Sequence, residues 1–430
     1  MGAWHVHRLD SENPGPKSRT SGWDFFCGTV MAMDNEPLAP EHSPGMRGFR
    51  LPRNVWVLAW VAFLNDTSTE MSYWLLPQFL VTVLGAPPMA FGFIEGAGET
   101  VASFARLLSG WLSDSLNRRK PLAAAGYTLA NLVKPLLAVT HSWPQVFWIR
   151  FGDRAAKGVR SAPRDALIVD SIDRAHRGAA FGLRQAMDTA GAIAGPVSAI
   201  VVLRLFSGHV RDVFWLAAIP GLMCIVLAWS AVKEVGRAAS AASPSAPSAR
   251  RGHFPRGRLL LILTALGIFS LGNSSDLFLI LRAQNLGMGA WAAPRLGLLF
   301  NVVYAALSWP AGKLSDRMPR RALIVAGYVV YAIVYAGFAW SQTPRLLWLL
   351  FAAYGAYYAL TEGIMKAWIA DLAPGDSRAS VFGVFNWVVG VGAFPASLLA
   401  GWLWQHTSPA APFAFSSMLA LGAATLLILV

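Results

Sequence analysis

The stretch IRFGDRAAKGVRSAPRDALIVD, residues 149–170, decides how the chain is read. It is the densest run of charge in the sequence. Yet it stands where an apolar segment of about 20 residues belongs if the chain crosses a hydrocarbon core roughly 30 Å thick. Arg150, Asp153, Arg154, Lys157, Arg160, Ser161 and Arg164 recur at steps of three and four, which on a helix sets them along one face. An ionised side chain at the bilayer centre costs about 2.5 kcal/mol or more, so such a face must meet protein, water or opposite charge. The stretch therefore reads as a membrane helix lining an aqueous cavity. The competing reading is a cytoplasmic loop between two spans.

Composition favours the membrane. The 430 residues are 55% hydrophobic and 14% charged, where a soluble domain carries about 25% charge. The 18 Trp and 24 Phe suit interfacial anchoring. Cys27 and Cys224 are far apart, and Cys224 lies in an apolar span, which argues against a disulfide framework or metal cluster. The net charge of +13 sits mostly in short loops between apolar runs, which fits membrane orientation rather than nucleic acid. There is no Walker loop, no GxSxG and no metal-ligand spacing of histidines, so neither ATP-driven transport nor an enzyme is expected, and no cofactor or metal.

Twelve spans can be drawn, at 55–84, 91–113, 122–140, 145–169, 179–206, 213–232, 259–283, 293–314, 322–340, 346–370, 379–404 and 411–430. Arg118, Arg119 and Lys120 follow the second, Arg174 and Arg177 the fourth, Arg317, Arg320 and Arg321 the eighth, and Arg378 the tenth. The alternate loops are nearly bare of charge. The positive-inside rule then puts both termini in the cytoplasm of a multi-pass cell-membrane protein. Residues 1–50 read as a disordered cytoplasmic tail, because the apolar run 23–33 is too short to span and lacks a signal-peptide pattern. Residues 234–257, rich in Ala, Ser, Pro and Arg, read as a linker between bundles at 51–233 and 258–430.

The halves repeat. Gly110-Trp-Leu-Ser-Asp114 followed by Arg118-Arg119 matches Gly312-Lys-Leu-Ser-Asp316 followed by Arg320-Arg321. Gly126-Tyr127 matches Gly327-Tyr328, and Asp170 matches Asp371. Ordinary basic loops explain the arginines but not the repeated aspartates.

This paired GxLSDxxxRR element resembles the signature loop of the major facilitator superfamily, although Asn117 and Pro319 stand where that family usually has Gly, and Ser115 where it often has a base. Gly191-x-x-x-Gly195-Pro196 resembles the family's antiporter-associated motif, the alternative being helix packing alone. Arg154-x-x-x-Gly158 resembles its fourth-span motif, linked there to proton coupling. DRAAKGVRSAPRDAL, with FLNDTSTEMSY in the first span, resembles a prokaryotic branch of it. The resemblance implies an all-α integral membrane protein, with twelve transmembrane helices in two pseudo-symmetric six-helix bundles and a central site near the midplane.

Depth along each span, at about 1.5 Å per residue, groups Asp66, Glu70, Arg150, Asp153, Arg154, Lys157, Arg184 and Asp188 as a central polar or proton-coupling cluster. Within it, Asp66 or Asp188 is the better proton carrier. The alternative is a permanently ionised network that only joins helices. From the second half, Asn273, Asp276, Asn301, Tyr304, Glu362, Lys366 and Asn386 are cavity candidates. Gly110, Asp114, Arg118, Arg119, Arg164, Asp165, Gly312, Asp316, Arg320 and Arg321 are expected to form a cytoplasmic gate or latch, with Gly110 and Gly312 allowing close packing. Gly191, Gly195 and Pro196 are expected to pack and bend the fifth span.

The function expected is proton-coupled export of a small organic solute by alternating access, by a chain that works as a monomer in the lipid bilayer and draws on the proton gradient. The alternatives are uptake of an organic anion, held by buried arginines, and a non-transporting scaffold or sensor. Met46 is a candidate for the native start, because a basic and then apolar pattern begins there. Mass spectrometry of the native protein should then find no peptide from residues 1–45, and a peptide containing Met1 would rule Met46 out.

Overall fold

A computed structural model describes residues 51–430, apart from 117, 174–175, 207, 236–256, 290, 373–377 and 430, and apart from the side chains of 114, 177, 178, 258, 370, 378–380, 382 and 383. The expected tail, most of the expected linker and the Asp114 side chain thus lie outside the described residues.

The described residues form twelve helical rods and no strand. α1 (Arg53–Tyr73) yields at Trp74 and Leu75, then resumes as Leu76–Gln78 and a wide π-helical turn, Phe79–Val83. α2 is Pro88–Leu116. α3 (Lys120–Val133) tightens into a 3₁₀ turn, Lys134–Val139, where Pro135 removes a backbone donor. α4 is Trp143–Asp170, its start held by Gln145 Oε1, which accepts from the backbone N–H of His141 at 2.8 Å and of Ser142 at 3.3 Å. α5 is Arg177–Leu205, and α6 runs Val210–Leu216 and Ala218–Ser230. α7 is broken into Arg258–Gly272 and Leu277–Asn285. Then follow α8 (Ala292–Ser315), α9 (Arg320–Trp340), α10 (Pro344–Leu372), α11 (Arg378–His406) and α12 (Ala411–Leu429).

In the first half α1 packs on α5 and α6, α4 on α2 and α3, and α3 on α6. In the second, α7 packs on α11 and α12, α10 on α8 and α9, and α9 on α12. Advancing every partner by six helices turns one pattern into the other, the physical counterpart of the sequence repeat. The halves meet along α2–α11 and α5–α8, a pair of seams that the same operation exchanges.

Seven of the described helical stretches are long and apolar enough to cross a membrane by length and composition. α1, α2, α4, α8 and α10 are not among them. Of these, α1, α2, α4 and α10 carry the ionisable side chains that turn inward, so their mean hydropathy is low for a reason of function rather than of exposure. Outward, large apolar side chains such as Trp111, Trp148, Leu205 and Trp340 are exposed, as lipid contact requires. The second half is filled by stacked rings, with Phe269–Tyr328 centroids 4.1 Å apart and Tyr331–Tyr335 3.9 Å apart.

The basic loops share one end of the bundle, and at the opposite end the halves interlock. A methyl group at Gly92 on α2 would lie 2.1 Å from the Ser397 carbonyl oxygen on α11, and one at Gly401 would lie 2.7 Å from the Pro88 carbonyl oxygen. At the arginine-rich end, a methyl at Gly312 would meet nothing within 4 Å, and one at Gly110 only the Ala162 methyl at 3.6 Å. The close packing expected of Gly110 and Gly312 is therefore absent in this state, because the bundles are apart at that end. Gly92→Ala should disfavour the interlock by about 1–3 kcal/mol. In a chain freed of other cysteines, a cysteine at Ser397 should then react faster with an impermeant maleimide from the interlocked side.

Candidate functional site

One wall of the central space is a charge network that α4 begins and α2 completes. Glu95 on α2 is 2% exposed. Its Oε1 accepts from Arg150 Nε at 3.1 Å and Nη2 at 2.8 Å, and its Oε2 accepts from Arg154 Nη2 at 3.3 Å. Arg154 Nη1 pairs with Glu99 at 2.7 Å, and Arg150 Nη1 with Asp153 at 3.2 Å. Glu95 and Glu99 are one turn apart on α2, as Arg150 and Arg154 are on α4, so the two rows face each other. Both guanidinium groups also lie near the Tyr73 ring, at 5.8 and 5.9 Å from its centroid.

A polar thread runs from this wall into α1 and α3. Lys134 is buried and donates to Thr69 Oγ1 at 2.7 Å and Asn131 Oδ1 at 3.0 Å. Asn131 Nδ2 donates to Asn65 Oδ1 at 3.2 Å, and Asn65 Nδ2 to Asp66 Oδ1 at 2.9 Å. Asp66 opens onto a cavity of about 340 Å³ shared with Glu70, Asp153, Arg154, Lys157, Arg160, Asp276 and Asn301. Glu70 accepts from Trp74 Nε1 at 2.8 Å.

The facing wall is set by the break in α7. Asp276, at that break, accepts from the Tyr354 hydroxyl at 2.6 Å and the Tyr358 hydroxyl at 3.0 Å, both on α10. Next to it, Ser275 Oγ donates to Glu95 Oε2 at 3.4 Å, which joins the two halves at the network's centre. Lower on α10, Glu362 accepts from the Tyr304 hydroxyl at 2.8 Å and from Lys366 Nζ at 3.2 Å. A second cavity, of about 510 Å³, is lined by both walls, including Glu95, Lys157, Asn273, Asp276, Lys366 and Asn386. Asp276, Lys157, Glu99, Arg154 and Tyr73 line both cavities. Exposure rises from Glu95 to Glu362 and Lys366, so the space opens toward the arginine-rich end.

Of the central cluster read from sequence, Asp66, Glu70, Asp153, Arg154 and Lys157 share the smaller cavity, with Arg150 behind them on Glu95. Asp188 lines neither cavity. It pairs with Arg184 along α5 at 2.5 Å, so Asp66 and Asp188 are not equivalent. Asn301 donates across the halves to the Ala192 carbonyl at 2.7 Å, and Tyr304 lines neither cavity but touches their walls through Glu362 and the rings of Phe300 and Tyr358.

The latch residues divide differently from expectation. Arg119 pairs with Asp170 and Arg320 with Asp371, each within its own half. These pairs match Arg119 with Arg320, the register of Gly126-Tyr127 and Gly327-Tyr328, whereas the loop motif sets Arg118 opposite Arg320. A one-residue shift lies between them. Arg164 pairs with its neighbour Asp165 at 2.9 Å. Asp316 is exposed beside Arg321 in the surface hollow that Arg320 and Asp371 also line, and Arg118 is exposed. Among the described residues no ion pair joins the halves at this end. On α5, a methyl at Gly191 would lie 2.7 Å from the Phe63 carbonyl oxygen and one at Gly195 2.5 Å from Glu70 Cβ, so the motif containing Pro196 brings α5 against α1 inside one half.

Sequence reasoning missed Glu95, Glu99 and Lys134. FIEGAGET, residues 93–100, carries two carboxylates one turn apart inside an apolar span, the same signal that drew attention to α4.

The profile of the Major Facilitator Superfamily matches residues 58–302 and 277–430. An uncharacterized MFS-type transporter of Methanocaldococcus jannaschii, MJ1317, is 36% identical over 392 residues, covering 88% of this chain and 95% of its own. The class C tetracycline resistance protein of Escherichia coli is 36% identical over 110 residues, 25% of this chain and 27% of that protein. Among solved structures, a bacterial homolog of the human lysosomal transporter Spinster, in an inward-facing and occupied conformation, matches with a TM-score of 0.66. At 15% identity over 89% of this chain and 96% of that one, this likeness is one of fold.

Removing the charge of Glu95 leaves Arg150 and Arg154 without their buried partner. Glu95→Gln should therefore lower stability by about 3–5 kcal/mol. Lys366→Gln, at a half-exposed pair, should change it by no more than about 1 kcal/mol. Thermal melts of the two purified variants in one detergent check the contrast.

Proposed function

We propose that this chain, which belongs to the major facilitator superfamily, exports a small organic solute across the cell membrane in exchange for protons. It is a membrane-spanning transporter and not an enzyme. The observation that carries the proposal is the central space itself. It is closed by interlocked helices at one end and open at the arginine-rich end, with the carboxylate of Asp66 on its wall. By the positive-inside rule the open end is cytoplasmic, as are both termini. An exporter in this state is ready to load. The resemblance of a quarter of the chain to a tetracycline resistance protein agrees with export.

Rocking the two bundles past each other exchanges access between the ends. The proton site is Asp66. Its side chain receives one hydrogen bond, from Asn65, and makes no ion pair among the described residues, while Arg154 and Arg160 line the same cavity. As the bundles rock, the second-half wall of this cavity, with Asp276 and Asn301, moves relative to Asp66 and changes the cost of its charge, and so links protonation to conformation. Asp188, already paired with Arg184, is the poorer carrier. The unit of function is the monomer, because both walls of the space come from one chain.

Proteoliposomes with an entrapped pH dye, challenged with a panel of small organic solutes, test this. The wild type should release protons inward as solute leaves. Asp66→Asn should keep solute exchange but lose its stimulation by a pH gradient. Undiminished gradient-driven flux in that variant would remove Asp66 from the coupling role, and an inert wild type would favour a scaffold.

A further inference from the structure

We infer that the solute is a zwitterion, with its ammonium group against Asp276 and its anionic group against Lys157; this rests on the transport reading above. The inference comes from which charges on the two walls already have partners. Arg150 and Arg154 are held by Glu95, Glu99 and Asp153, and Lys366 by Glu362. Their charges are met within the protein, so Arg150 and Arg154 are not free to hold an anion; Arg160, unpaired among the described residues and set over the Tyr127 ring, lines only the smaller cavity. Asp276 and Lys157 differ. Asp276 accepts only tyrosyl hydroxyls, from Tyr354 and Tyr358, and among the described residues it meets no cation at ion-pair distance. Lys157 makes no ion pair and no side-chain hydrogen bond among the described residues, and Arg106, also unpaired there, lines the same space on α2.

Both Asp276 and Lys157 line both cavities, and they stand on opposite halves, at the α7 break and on α4. A solute with a single charge would compensate one of them and leave the other partly desolvated without a counter-charge. A zwitterion compensates both. It also touches both bundles at once, which gives it the differential affinity for a closed state that drives a conformational change. The rings of Tyr73, Tyr358 and Phe300 beside Asp276 add a surface on which an ammonium is attracted.

The test is binding to the purified full-length protein in detergent, with no gradient. The probes are matched triplets: phenylalanine, phenethylamine and hydrocinnamate; leucine, isoamylamine and isocaproate; tryptophan, tryptamine and indolepropionate. At least one amino acid should bind tighter than both its amine and its acid by about tenfold or more. Asp276→Asn should abolish its advantage over the acid, and Lys157→Gln its advantage over the amine, with Lys157→Arg retaining it. If Asp276→Asn does not fold, the Lys157 pair carries the test. The inference is overturned if no amino acid binds, if an amine or acid alone binds as tightly, or if the variants bind like the wild type. Because no gradient is applied, failure of proton-driven flux leaves this result standing. Gradient-driven flux confined to plain anions or plain amines would overturn the zwitterion alone.

Discussion

Everything in the first half is arranged around the contact of Glu95 with Arg150 and Arg154. Three ionised groups in the interior of a membrane bundle are tolerable only where their charges and donors are mutually satisfied. Glu95 achieves this with both oxygens, one for each arginine. That requirement fixes the rotation of α2 against α4, and α4 in turn positions Lys157 and Asp153 toward the cavity. The same carboxylate receives Ser275 from the break in α7. The electrostatic centre of one bundle is thus in touch with the break in α7 of the other.

The two bundles share a helix plan but not a chemistry. The first holds its helices together with charge, through Glu95, Glu99, Asp153 and their arginines. The second uses rings, with tyrosines from α9 and α10 packed on Phe269, and its carboxylate Asp276 is held by hydroxyls instead of cations. A rigid ionic wall and an aromatic wall with one available carboxylate make different demands on whatever lies between them.

Much of this was legible in the sequence, and the omissions have physical causes. Seven spans follow from hydropathy and the other five from the repeat, and the inward face of α4 follows from a period of three to four, because seven charged or polar residues along one helix leave few alternatives. Glu95 and Glu99 were passed over because two carboxylates in a long apolar run barely lower its hydropathy, although their spacing alone pointed inward. The separation of Asp66 from Asp188 was not legible. Both lie at similar depth; the spacing of Arg184 and Asp188 already allowed an i,i+4 pair, but only the packing of the helices shows that Asp188 lines neither cavity while Asp66 faces one. Arg119 and Arg320 were read from the sequence as latch residues, but Asp170 and Asp371 were not named as their partners. That these pairs join helices within one half is a matter of tertiary placement, which no motif alignment carries.

The interlock at the closed end is made of backbone against backbone, at Gly92 with Ser397 and at Gly401 with Pro88. Among the described residues, the ion pairs at the other end stay within each bundle. In this state closure therefore rests on backbone contact rather than on ion pairs, and ionic strength has little direct hold on the interlock itself. What it responds to instead is the fit of two apolar surfaces within the sheath of lipid. Bilayer thickness and lateral pressure are natural variables for a closure of this kind.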